Sequence, residues 1–200
     1  FGLFKKMLLA DVFAGAVNWV FANEASSMDC LIGMLCYTLE IYFDFSGYTD
    51  MAVGISHMLN ITLPMNFDSP YQSLNIRDFW KRWHMSLTKF FTKYLYIPLG
   101  GSRKGLLRTC LNTMIVFLIS GLWHGTGLTF LLWGLLNGLL MVFDRLTEQR
   151  QKALFAPFRW LVTFGVLNVL WLLFRAGSVH EWLRALFTLF SMQSTQISDG

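Results

Sequence analysis

The longest apolar run in the chain, "TCLNTMIVFLISGLWHGTGLTFLLWGLLNGLLMVF", extends over residues 109–143 without one Asp, Glu, Lys or Arg. As a single helix its 35 residues would reach about 52 Å at about 1.5 Å per residue. A bilayer core is only about 30 Å thick. Two helices joined at the glycine-rich "SGLWHGTG" fit that thickness. Both ends then face one side, and both are basic: Arg103, Lys104 and Arg108 before the run, Arg145, Arg150, Lys152 and Arg159 after it. Basic flanks predict a cytoplasmic location for the two ends.

The same reading places the other elements. Residues 3–21 are apolar but carry Lys5, Lys6 and Asp11, which suits a short or interfacial helix. Residues 31–65 lack Lys and Arg but hold Glu40, Asp44 and Asp50, and read as a membrane helix interrupted near Ser46-Gly47. Residues 66–107 are amphipathic, aromatic and basic, as expected of interfacial or re-entrant helices. Residues 158–174 form a further candidate span, and 180–190 an amphipathic helix. The expected fold class is all-α: a polytopic integral membrane protein, with residues 1–200 forming one transmembrane domain.

Composition agrees. The chain is 54% hydrophobic and 14% charged, with a mean hydropathy of +0.47, whereas soluble domains average about 25% charged residues. The lipid bilayer is therefore the first partner. Eight Lys or Arg and one acid lie between Arg77 and Arg108. A basic cluster beside apolar spans marks a cytoplasmic face and argues against nucleic acid. Cys30, Cys36 and Cys110 have no metal or pairing pattern and read as small packing residues. No metal site and no resident cofactor are expected.

Four places carry candidate chemistry. His124 interrupts the apolar run beside Trp123, Gly121, Gly125 and Gly127. Ionisable groups in membrane spans are costly and are usually placed for function. A neutral imidazole is also a general base near neutral pH. Two readings stand: a catalytic base, or a histidine bonded to a neighbouring helix. His84 lies in "RDFWKRWHMSLTKF" with Arg82 and Trp83. It reads as part of an interfacial helix over 77–88, or as an inward-facing second site group. Glu40 and Asp44 are one turn apart and Asp50 follows. They call for salt bridges to the Arg77–Arg82 cluster, or for a proton relay or substrate contact. "PLGGSRKG", residues 98–105, lacks a phosphate-loop spacing and reads as an interfacial turn, or as a contact for a phosphorylated donor.

Taken in order, "YFDFSGYTDMAVG", "NFDSPYQSLNIRDFWKRWHMSLTKF", "YLYIPLGGSRKG" and "SGLWHGTGLTFLLWGLLNG" resemble the membrane-bound O-acyltransferase family, most closely its bacterial alginate O-acetyltransferase-type branch. The resemblance implies a helical fold with a funnel to a buried site. It also implies a longer parent, of which this chain is a fragment lacking the N-terminal helices. It places the signature histidine on His124 and the branch's second histidine on His84. Trp83, Arg82, Trp123, Asp44 and Asp50 fall in shared motifs and are candidate substrate-binding residues. The implied activity is transfer of acetyl from a cytoplasmic donor, acetyl-CoA, to hydroxyls of an extracytoplasmic, alginate-like polysaccharide. It would work from the bacterial inner membrane with periplasmic acetylation partners. A D-alanyl transferase of the teichoic acid type, an ion-coupled transporter and an inactive scaffold are the competing readings.

Overall fold

A computed structural model describes residues 1–23 and 25–191. Every regular element among these residues is helical. Three helices are long and apolar enough to cross a membrane: Gly105–His124, Leu128–Lys152 and Ala156–Arg175. The chain divides into two compact units. The first holds Phe1–Leu63 and the residues from Trp171 onward; the second holds Pro64–Leu170.

The first unit begins with α1 (Gly2–Phe4), a π-helical stretch Lys5–Ala10 and α2 (Asp11–Ala22), which run on as one helical segment. It continues in α3 (Ser27–Met58), whose start is fixed by a reciprocal cap. The Ser26 hydroxyl accepts from the Asp29 backbone N–H, and the Asp29 carboxylate accepts from the Ser26 N–H at 2.9 Å. The expected break near Ser46-Gly47 is absent. α3 passes unbroken through both residues, which are buried, and stops at Met58 rather than near residue 65. Gly47 serves close packing instead. A Cβ there would lie 2.7 Å from the Gly2 carbonyl oxygen.

The acids of α3 also find partners other than those expected. Asp50 pairs with Lys5 at 2.8 Å and Asp44 pairs with Lys6. The Arg77–Arg82 cluster is engaged elsewhere, so the expected bridges to it are replaced by a two-rung ladder to the N-terminal helix. α9 (Val179–Phe190) closes the unit and is tied to α3 by the Ser27 hydroxyl, which donates to the Thr188 carbonyl at 2.6 Å.

The second unit holds the charge-free run as α6 (Gly105–His124) and α7 (Leu128–Lys152), joined by Gly125–Gly127. This is the expected two-helix arrangement, with His124 the last residue of α6. The helices pack antiparallel: Gly134 faces Phe117 and Gly121, while Gly138 faces Met114 and Phe117. A Cβ on Gly121 would collide with the Phe130 carbonyl, so glycine lets the two backbones touch, as small residues do between membrane helices. α8 (Ala156–Arg175) follows, with the unit boundary inside it.

The single helix expected over residues 77–88 is two helices. α4 (Ile76–Arg82) ends before Trp83, and α5 (Met85–Phe91) begins after His84. His84 adopts a left-handed conformation with φ +46°, a region that costs a non-glycine residue about 1–3 kcal/mol. Asn66 compensates. Its carbonyl accepts from the Met85 N–H and its side-chain oxygen from the Ser86 N–H, both at 3.0 Å. The Asp68 N–H donates to the Arg82 carbonyl at 3.0 Å. The 66–68 segment therefore satisfies backbone groups that the break exposes.

Candidate active site

His84 and His124 reach the same region of the second unit from segments forty residues apart in the chain. Both adjoin one aromatic cluster: His124 contacts Trp133, and His84 shares a cavity wall with Trp80. The organiser between their elements is aromatic. Trp80, on α4, packs edge-to-face on Trp133 of α7, with centroids 5.6 Å apart, and on Phe117 of α6 at 5.4 Å. Its indole N–H donates to Asn137 Oδ1 at 3.1 Å, and the Asn137 amide donates to the Trp133 carbonyl at 2.9 Å. Both Trp133 and Asn137 are fully buried, so this bond forms away from water. His124 then meets Trp133 edge-on at 5.4 Å.

Beside this cluster is a cavity of about 210 Å³ bounded by α4, α5 and α6. His84 and Trp80 line it, with Thr88, Thr92, Thr113 and Ser120 supplying hydroxyls and Arg145 of α7 a guanidinium. His124 lies one helical turn beyond Ser120 and does not line the cavity itself. His84 lies outside the three membrane-spanning helices. Burial pushes its imidazole down to about 4, because low dielectric disfavours the cation. His84 is thus a neutral group at physiological pH, able to give or take one hydrogen bond at each nitrogen.

The other sequence candidates occupy distinct positions. Trp83 is buried and packs on Phe67, Tyr71 and Phe79 at centroid distances of 5.0, 5.9 and 5.5 Å. It anchors the chain beside His84 and does not line the cavity. Arg82 holds Asp78 at 3.1 Å and Asp68 at 3.5 Å, tying α4 to the 66–68 segment. Trp123 packs on His124 at 4.8 Å with 58% of its surface exposed. Asp44 and Asp50 belong to the first unit, in ion pairs with Lys6 and Lys5.

Sequence reasoning missed Trp133 and Asn137. The available signal was an amide side chain one turn after a Trp inside a membrane helix, since a buried amide requires a partner. Which partner it takes is set by the docking of α4.

The arrangement places one imidazole and several hydroxyls in the wall of a cavity, with a second imidazole one helical turn beyond it. Comparison with known proteins supplies the family. The model of the family described as MBOAT, membrane-bound O-acyltransferase, matches residues 8–181. The chain is 44% identical to a peptidoglycan O-acetyltransferase of Helicobacter pylori, over 92% of this chain and 36% of that protein. It is 39% identical to a probable alginate O-acetylase of Pseudomonas putida, over 99% of this chain and 41% of that protein. It is 33% identical to a teichoic acid D-alanyltransferase of Bacillus subtilis, over 66% of this chain and 34% of that protein. The chain thus spans about two-fifths or less of the length of these curated relatives. With its apolar helices and a family match over most of its length, the chain is a multi-pass membrane protein and belongs to the membrane-bound O-acyltransferase family.

Proposed function

We propose that this chain carries the catalytic histidines of an O-acetyltransferase that moves acetyl from a cytoplasmic thioester, acetyl-CoA, to a hydroxyl of an extracytoplasmic polysaccharide. The observation that carries the reading is a shared aromatic cluster: Trp133 contacts His124, and Trp80, packed on Trp133, lines a cavity together with His84. Relatives named for acetylating alginate and peptidoglycan share one chemistry, an acetyl ester on a glycan hydroxyl. That shared chemistry supports the acceptor class. D-alanyl transfer has the more distant relative, and an ion-coupled carrier would not need the paired imidazoles.

In this reading His124 is the base. It removes the proton from the acceptor hydroxyl as the oxygen attacks the thioester carbonyl carbon. The carbonyl oxygen gains the negative charge of the tetrahedral intermediate, and His84 donates a hydrogen bond to it or orients the acceptor. Collapse breaks the carbon–sulfur bond. The proton held by His124 passes to the departing thiolate, leaving an acetyl ester and free thiol. Arg82 and Trp83 set the backbone that presents His84, and Trp123 shields His124. Asp44 and Asp50 are assigned to substrate contact in the first unit. The enzyme would work in the bacterial inner membrane with periplasmic polysaccharide acetylation proteins as partners.

The test is transfer of labelled acetyl from acetyl-CoA by the protein in native membranes. General bases contribute about 10²–10⁴-fold, so His124→Gln should lower turnover at least about 100-fold while donor binding persists. Near-normal turnover of His124→Gln would show that His124 only packs between helices.

A further inference from the structure

We infer that Arg145 anchors a phosphate of the acyl donor, with the donor's pantetheine arm lying in the cavity between Arg145 and His84. The inference rests on the acyl-transfer reading above and adds the residue that positions the donor.

Along α6 the cavity is lined by Thr113, Val116, Phe117 and Ser120, which form one face. From Thr113 to Ser120 is about 10 Å of helix at about 1.5 Å per residue. Its two ends differ. Trp80, which packs on Phe117 and Trp133, and His84 just after α4 belong to the Ser120 end, one turn from His124. Tyr96 and Arg145 belong to the other. Tyr96 lies beside Gly101, whose carbonyl accepts from Asn112, next to Thr113. Arg145 is two turns beyond Gly138 on α7, and the antiparallel register puts it past Met114, toward the start of α6.

Arg145 is the one residue of fixed charge in the cavity wall. Among the described residues it has no carboxylate within ion-pair distance. The nearby acids are committed: Asp144 accepts from the Arg77 N–H and the Gln151 amide, and Glu148 is shared by Arg77 and Lys152 at 2.8 Å each. A half-buried guanidinium at the end of a membrane span is costly without an anion, and its planar fork suits phosphate oxygens. Arg103, Lys104 and Arg108 flank the same end of the hairpin and add to a positive potential there.

The wall between the two ends suits an amide-bearing arm. The hydroxyls of Thr88, Thr92 and Thr113 donate to the carbonyls of Trp80, Thr88 and Thr109. Each oxygen then keeps a lone pair for an amide N–H in the cavity. With the phosphate at Arg145, the arm would carry the thioester toward His84.

Two donors share this chemistry: free acetyl-CoA and a carrier protein bearing a phosphopantetheine arm. The experiment compares acetyl-CoA, S-acetyl-phosphopantetheine and S-acetyl-pantetheine as donors for Arg145→Gln and Arg145→Lys in native membranes. For Arg145→Gln, KM for the phosphorylated donors should rise roughly 10-fold or more, the scale of one lost charge-assisted hydrogen bond. KM for S-acetyl-pantetheine should hold, and Arg145→Lys should recover part of the loss. An effect on both phosphorylated donors places the arm's own phosphate at Arg145, as either source would supply. An effect on acetyl-CoA alone assigns the adenosine-side phosphates and so the free coenzyme. Equal losses with all three donors would mean that Arg145 is only structural and overturn the anchor, as would no loss at all. Binding of coenzyme A itself, measured by calorimetry without turnover, separates this inference from the catalytic one. If wild type binds coenzyme A but transfers nothing, acyl transfer fails while the anchor is still judged by the binding of Arg145→Gln. Unchanged binding in that variant overturns it.

Discussion

The His124 imidazole meets the Trp133 indole edge to face, with ring centroids 5.4 Å apart and planes at 80°. Trp133 in turn contacts Trp80 at 5.6 Å and is 1% exposed. His124 is therefore held by the core of the second unit even though it ends a helix at a glycine-rich loop. Trp133→Phe should keep an aromatic edge and most of the transfer rate. Trp133→Ala should cost about 3–5 kcal/mol of stability and lower the rate even in molecules that remain folded. Thermal unfolding in detergent and labelled-acetyl transfer check the pair. An unchanged rate in Trp133→Ala would remove the indole from any part in setting His124.

The left-handed backbone at His84 separates its conformational role from its chemical one. Glycine adopts φ +46° without strain. His84→Gly should therefore melt at a temperature equal to or above that of His84→Ala, by up to about 1 kcal/mol of relief. Both should lose acetyl transfer to the same degree. If His84→Gly keeps wild-type transfer, the imidazole has no chemical role.

Burial also makes His84 a source of pH dependence. Its folded pKa, about 4, lies below the ordinary value of 6.5. The unfolded state then binds the extra proton more readily, so stability falls as pH drops from about 6.5 toward about 4. Above 6.5 the group contributes no slope. His84→Gln should flatten that part of the stability curve. The measurement is the melting temperature of both proteins from pH 7.5 to 5. Parallel curves would show that His84 does not titrate differently on folding.

Gly134 and Gly165 give opposite expectations for the same substitution. A Cβ at Gly134 would lie 2.5 Å from the Phe117 backbone carbonyl oxygen, while one at Gly165 would meet nothing within 4 Å. Gly134→Ala should force α6 and α7 apart at a cost of about 1–3 kcal/mol and displace His124 with them. Gly165→Ala should be neutral or stabilising by up to about 1 kcal/mol. Melting temperatures and transfer rates of the two variants decide it. Equal stabilities would refute the tight hairpin contact.

Much of the molecule follows from one-dimensional pattern. A charge-free run longer than a bilayer, with basic flanks and a glycine-rich middle, is enough to divide α6 from α7 and to put His124 at their junction. Helix length and hydropathy are local sums, so α8 and α9 are legible as well. The motifs around His84 and His124 single out both histidines as candidates before any coordinates exist. Tertiary structure alone decided the rest, because it depends on what each face meets. Ser46-Gly47 looks the same in sequence whether glycine breaks a helix or lets another backbone approach; the nearness of Gly2 makes it the second, and α3 stays whole. Asp44 and Asp50 require cations, and the N-terminal helical segment packed along α3 is what supplies Lys6 and Lys5 to them. The split between α4 and α5 is set by Asn66, whose two hydrogen bonds hold His84 in a conformation its own preferences disfavour. The docking of Trp80 on Trp133 and its bond to Asn137 join α4 to α7 through a contact between residues 57 apart in sequence, which no local pattern encodes.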